Sequence, residues 1–208
     1  GELQKALGSD EVYVKILLLD SGGYGLLVSP TVARPYAIEL NRGTAGAAVR
    51  RLRRPFEAED TLPAFDVAGA HELFRQLFGP VASEVLAARH LVYEPDGALI
   101  SLPVAALVTA DPGALMVATP EGADPDYRKV AWLGAKTDSA LVLSAASFLQ
   151  SRAFAPSSAR QSFLGFADPA TPNRANERAY ASVVRRSVSL RSERDIGDIC
   201  ENTRLALL

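Results

Sequence analysis

The chain has 208 residues, 48% hydrophobic and 22% charged, enough for one domain of ordinary size or two small ones around a buried core. Its 22 basic and 24 acidic residues leave a net charge of −2, which removes the electrostatic case for wrapping nucleic acid or lying on an anionic membrane. One cysteine, Cys200, and two histidines, His71 and His90, exclude an intrachain disulfide framework and make a poor set of zinc ligands, so neither a metal nor a cofactor is expected.

Glu2 to Leu7 reads as the end of a helix closed by Gly8-Ser9. Val12 to Leu19 is β-branched and aromatic at its start and almost uniformly apolar, the pattern of a buried strand. Asp20-Ser21-Gly22-Gly23 supplies turn chemistry, so Tyr24 to Val28 returns as a hairpin, and Arg34 to Leu40 completes a meander. A helix is predicted from Thr44, as N-cap, to Arg54, with Pro55 ending it, and Glu57 to Asp66 reads as an exposed loop. From Val67, the apolar positions Ala70, Leu73, Phe74, Leu77, Phe78, Val81, Val85 and Leu86 recur at helical spacing. Gly79-Pro80 interrupts them, either as a kink or as the start of a second helix.

His90 to Tyr93 is a short strand, and Glu94-Pro95-Asp96-Gly97 a turn in which Gly is free to take positive φ. Pro103 suits the first position of a short helix reaching Val108. Asp111 to Gly113 and Pro120 to Pro125 are loops. Val130 to Leu143 holds another strand, Ser144 to Arg152 a helix, and Gln161 to Phe166 a last strand. Ala170 to Arg194 is polar and Arg-rich and reads as a mobile linker, and Ile196 to Leu208 as a truncated helix. The fold class is therefore α/β, a mixed sheet with helices on its faces.

Charged residues interrupt every long apolar run, which argues for a soluble protein, and the lone thiol suits a reducing cytoplasm. The only methionine is Met116, and the chain stops in the apolar Leu205-Ala206-Leu207-Leu208. Both suggest a piece of a longer protein, in which a signal peptide would be invisible here.

The segment Leu91 to Leu107 runs through an apolar strand, Pro95-Asp96-Gly97, a short apolar stretch, Leu102-Pro103 and a small-residue helix. It resembles the CHAT domain, a caspase- and separase-like cysteine peptidase module. Trp132-Leu133, Ser144 to Arg152 and Phe163 to Pro169, with Gly165, Asp168 and Pro169, are similar to the blocks that follow in that family. Leu3 to Val28 and Val67 to Leu86 are similar to the elements that precede it, so the resemblance covers residues 1–169. It implies the N-terminal half of a caspase-like architecture, residues 1–169, and a connection, residues 170–208, to a missing C-terminal half of the same protein. Tetratricopeptide-type helical repeats are an implied partner upstream. In the family the catalytic His and Cys stand in His-Gly and Ser-Ala-Cys contexts downstream of these blocks, and neither motif occurs here. A cysteine peptidase needs a thiolate and a histidine beside it, so no catalytic residue is assigned within these residues.

Other candidates read more simply as structure. Leu141 to Ser147 superficially resembles the nucleophile strand, with Ala146 in the cysteine's place, but it precedes the Gly165-Phe166-Ala167-Asp168-Pro169 block. It belongs to the earlier strand-to-helix junction. Cys200 sits between Asp198 and Glu201, which would raise a thiol pKa rather than lower it. His71 and His90 have no nucleophile motif, and no Gly-x-Ser-x-Gly elbow supports a serine hydrolase. Gly22-Gly23-Tyr24-Gly25 precedes a strand, not the helix a phosphate loop needs. Arg50, Arg51, Arg53 and Arg54 form a basic helix end, solvated or docking an acidic partner. Glu94 and Asp96 bracket a turn, where Asp bonds nearby amides. Two functional readings follow: the non-catalytic half of a CHAT-type peptidase, or a stand-alone binding domain.

Overall fold

Residues 11–38 fold as three antiparallel strands joined by tight turns: β1 (Glu11–Leu19), β2 (Gly22–Val28) and β3 (Ala33–Ile38). The computed structural model describes residues 1–57, 64–113 and 127–154, and the backbone of two short strands, Phe166–Ala167 and Ala206–Leu207. The chain divides into two units, Gly1–Phe154 and Ala155–Leu208. In the first unit β4 (His90–Glu94) and β5 (Asp138–Leu141) add in parallel to β1, giving a five-stranded mixed sheet in the order β3-β2-β1-β4-β5. This is the predicted mixed α/β architecture.

Alternation along β1 sends Val14, Ile16 and Leu18 to one face, where they are at most 2% exposed. That face carries the main core under α2 (Arg42–Glu57), α3 (Val67–Phe78) and α4 (Ala82–Ala87). The helical periodicity from Val67 holds through both α3 and α4. Gly79-Pro80 opens a 3₁₀ turn between them, so the interruption starts a second helix. On the opposite face a smaller layer, α1 (Glu2–Ala6) and α5 (Ala145–Ala153), covers Tyr13, Val28 and Val92. It stops short of Leu17 and Leu19, which are 45% and 39% exposed. The uniformly buried strand read from the sequence is thus buried on one face along its length and on the other only at its start.

Two helix-boundary expectations are corrected. Asn41, not Thr44, caps α2: its Oδ1 accepts from Thr44 N at 2.9 Å, and Thr44 Oγ1 accepts from Asn41 N at 3.0 Å. The two capping residues work as a reciprocal pair, so the helix starts earlier. Pro55 lies inside α2, which continues to Glu57. In the last turn the missing N–H costs a single backbone bond, while Pro55 is buried and Arg53 Nε reaches Glu57 Oε1 at 2.9 Å. Of the exposed loop expected from Glu57 to Asp66, residues 58–63 lie outside the described residues, and the expectation is corrected at its ends: Glu57 closes α2, Phe65 is buried in the main core and Asp66 caps α3. Beyond Pro103 the expected helix is a single 3₁₀ turn, Val104–Ala106. The strand expected between Val130 and Leu143 is confined to β5.

Gly25 is a packing requirement. It stands opposite Tyr36 in the β2–β3 register, and a Cβ there would lie 2.0 Å from Tyr36 Cζ. The ring crosses the glycine so that its hydroxyl donates to Leu77 O at 2.9 Å. Gly25→Ala is expected to destabilise the fold by about 2–3 kcal/mol, because the ring must leave its site and its hydroxyl bond breaks. Chemical denaturation checks this, and Gly25→Ala/Tyr36→Ala should show strong non-additivity.

In the second unit Phe166–Ala167, or β6, pairs antiparallel with Ala206–Leu207, or β7. Ala206-Leu207 is extended rather than helical, because its backbone finds a partner in β6. The rest of the predicted linker and terminal helix, and residues 161–165 of the predicted strand, lie outside the described residues. No described helix is long and apolar enough to cross a membrane.

Candidate functional site

The Pro-Asp-Gly block sits where the parallel part of the sheet runs out. β4 pairs with β1 only as far as Lys15↔Glu94, so the β4 side of β1 loses its strand partner beyond that point. Asp96 fills the gap: its Oδ2 accepts from Leu18 N at 2.8 Å. Arg42 Nη2 donates to Leu18 O at 3.0 Å from the start of α2. Both backbone polar groups of one strand-end residue, Leu18, are therefore satisfied by side chains. Asp96 does bond a backbone amide, as turn aspartates do, but that amide is 78 residues away rather than nearby. Asp96→Ala is expected to cost about 2 kcal/mol, the loss of a charge-assisted bond, with Asp96→Asn retaining part of it. Thermal unfolding of both variants checks the order.

Gly97 follows at φ +56°, with nothing within 4 Å of a notional Cβ, so only backbone conformation favours glycine there. The chain then makes a 3₁₀ turn, Gly97–Ser101, with Leu99 and Leu102 buried in the core. Arg53 Nη1 fastens this turn to α2 by donating to Ser101 O at 2.8 Å. Pro95 precedes Asp96 half-buried, and Pro103 caps the next turn at φ −59°. The block is thus a platform held to β1 by Asp96 and to α2 by Arg53. Gly165, Asp168 and Pro169 lie outside the described residues.

Glu94, at the end of β4, is 6% exposed and accepts from both the Tyr13 hydroxyl and the Lys15 ammonium. Burial, the hydrogen bond to Glu94 and its negative charge together push the Tyr13 phenol well above its ordinary range. Sequence reading took Glu94 for a turn carboxylate and missed this clamp. The available signal was Lys15, the one charge in the run Val12 to Leu19.

The histidines occupy different settings. His71 Nδ1 lies 3.0 Å from Val108 O, tying α3 to the chain beyond the platform. His90 sits in a cross-strand row, Glu11–His90–Asp138, with its ring nitrogens 3.8 Å from Asp10 Oδ2 and 3.5 Å from Asp138 Oδ2. Glu11 accepts from Arg152 Nη2 at 2.5 Å, and that guanidinium lies 4.9 Å from the centre of the Phe148 ring. Burial pushes the Glu11 carboxyl up, but the Gly8 N–H and Arg152 outweigh it and hold it below the ordinary range. A cleft of about 280 Å³ opens here between α5 and the ends of β4 and β5. No described group of three or more His, Cys, Asp or Glu is arranged to hold a metal. Cys200 lies outside the described residues.

The remaining candidates fall into structural places. Ser144 caps α5 by accepting from Ser147 N at 3.1 Å, so Leu141 to Ser147 is a strand-to-helix junction and Ala146 lies in the first turn of α5. Gly22 to Gly25 lie in the second strand of the β1–β2 hairpin. Of the α2 arginines, Arg51 pairs with Asp66, Arg53 with Glu57 and Ser101, and Arg50 and Arg54 are exposed.

A family model, the CHAT domain, matches residues 67–196, from the start of α3 through the platform, β5 and α5 and on past Pro169. No curated protein and no solved structure matches the chain. The match covers more than half of the sequence and contains the Pro95-Asp96-Gly97 platform that joins β4 to the core. The chain belongs to the CHAT domain family, a caspase-like peptidase family.

Proposed function

We propose that this chain is the non-catalytic N-terminal part of a CHAT-domain cysteine peptidase, with residues 1–169 as its subdomain and residues 170–208 leading to a downstream half that carries the His and Cys. The observation that carries the reading is the free edge of β5. All four of its residues are exposed, and among the described residues no strand lies on its outer side. A parallel strand is stable when flanked, so this edge is the natural place for a sheet to continue. The platform supports the same reading. Asp96 and Glu94 spend their polar groups in fixing the β4 end against β1, and Arg42 fixes the start of α2 to β1, which is work for a rigid support rather than for chemistry.

The test is reconstitution. The chain and the polypeptide encoded after Leu208, expressed separately, are expected to co-elute and to gain a peptidase activity that iodoacetamide abolishes. Co-elution without thiol-dependent activity, or no association, would instead leave a stand-alone binding domain.

A further inference from the structure

The cleft beside His90 lies within the first unit, on the α5 side of the sheet. The register His90↔Asp138 and Val92↔Ala140 sets two cross-strand rows there, the first polar and the second apolar. Val92, Ala140, Val142 and the Phe148 ring supply the apolar lining. The volume of about 280 Å³ equals about nine waters at ~30 Å³ each, room for one short aliphatic chain.

The charges around the cleft do not balance. Against burial, the Gly8 N–H and the Arg152 guanidinium hold the Glu11 carboxyl below its ordinary range, so at neutral pH it is ionised and paired. Arg152 is likewise engaged, by Glu11 and by the Phe148 ring. Asp138, 81% exposed, has only His90 Nδ1 at 3.5 Å, and that ring also lies 3.8 Å from Asp10 Oδ2. Three carboxylates thus meet one guanidinium and one imidazole, an acidic surplus whichever state the imidazole takes. We propose that this cleft binds an organic cation with a short aliphatic stem, an alkylammonium of the kind carried by a lysine side chain or a free primary amine. The stem lies along Val92, Ala140 and Phe148 while the ammonium pairs with the Asp138 carboxylate, as amphipathic cations do where apolar surface meets water. An anion is a poorer occupant, because the carboxylates oppose it and the Ser151 hydroxyl already donates to Phe148 O at 2.7 Å. The site uses none of the residues that fix the platform, so it stands or falls apart from the peptidase reading.

The probe is n-butylamine, titrated into the ¹⁵N-labelled chain at constant pH and ionic strength. It is expected to shift the amides of Val92, Ala140 and Ser151 saturably, with a Kd on the order of millimolar. The uncharged 1-butanol and the anion propionate should each bind about tenfold more weakly, since neither offers Asp138 a positive charge. Asp138→Asn should weaken butylamine about tenfold and leave 1-butanol unchanged, whereas Ala140→Leu, which fills the floor, should weaken both. Both positions are exposed, so the Tm of the chain is expected to hold. Tighter binding of Nα-acetyl-lysine methylamide than of butylamine would assign the site to a peptide's lysine, and the reverse order to a free amine; either sustains the proposal. No saturable shift, shifts centred elsewhere, or equal binding of butylamine and 1-butanol would overturn it.

Discussion

Replacing Glu94 by alanine is expected to lower the unfolding free energy by about 2–3 kcal/mol. Most of that loss comes from Tyr13, which is 1% exposed and whose hydroxyl would be left buried without its acceptor. The ion pair itself adds little: the Lys15 side chain is 44% exposed, and such pairs contribute at most about 1 kcal/mol. Glu94→Gln keeps an acceptor for Tyr13 and loses only the charge, so its cost is expected to be about 1 kcal/mol. Tyr13→Phe/Glu94→Leu removes both polar groups and should recover most of the loss in Glu94→Ala. Urea unfolding with unchanged m-values reads all three, and equal costs for the alanine and glutamine variants would show that the hydroxyl is satisfied elsewhere.

Alkali is the second large lever. Tyr13, Tyr36 and Tyr93 all have phenols pushed well above their ordinary range. Burial is the first cause in each case, and for Tyr93 the neighbouring Tyr36 adds to it. The Tyr93 hydroxyl is also buried, with no hydrogen-bond partner among the described residues. In the unfolded chain these phenols lose their protons near pH 10, while the folded state keeps them. The unfolded state then binds fewer protons, so stability is fully present below about pH 10 and falls as pH rises above it. With three such groups the slope approaches about 4 kcal/mol per pH unit, enough to unfold an ordinary domain within two or three units. Phenolate absorbance checks this directly. Three of the six tyrosines are expected to ionise only as the fold opens, whereas smooth titration of all six in the folded state would contradict it.

What the sequence made legible was local. Turn chemistry at Asp20-Ser21 announced the β1–β2 hairpin, the spacing from Val67 announced α3 and α4, and Ser144 announced α5. The Pro95-Asp96-Gly97 and Leu102-Pro103 pattern carried the family. What was not legible depended on strand order. β4 lies beside β1 rather than beside β3, and only that placement brings Glu94 to Tyr13 and Lys15, and Asp96 to Leu18. Neither periodicity nor turn propensity carries information about pairings some 80 residues apart. The exposure of Leu17 has the same origin: an apolar strand reads as buried on both faces, yet whether a helix lies over a given stretch is a tertiary fact. At Asn41 and Pro55 the local rules were sound but incomplete, since two capping residues cooperated and a proline fell in a last turn that tolerates it.

In the function proposed here, this chain supports a catalytic half encoded after it. Reading the coding sequence beyond the codon for Leu208 tests that most directly. The predicted result is an in-frame continuation with a His-Gly motif followed by Ser-Ala-Cys. A stop codon soon after Leu208, or a continuation lacking both motifs, would contradict the claim and leave a binding domain of the CHAT family.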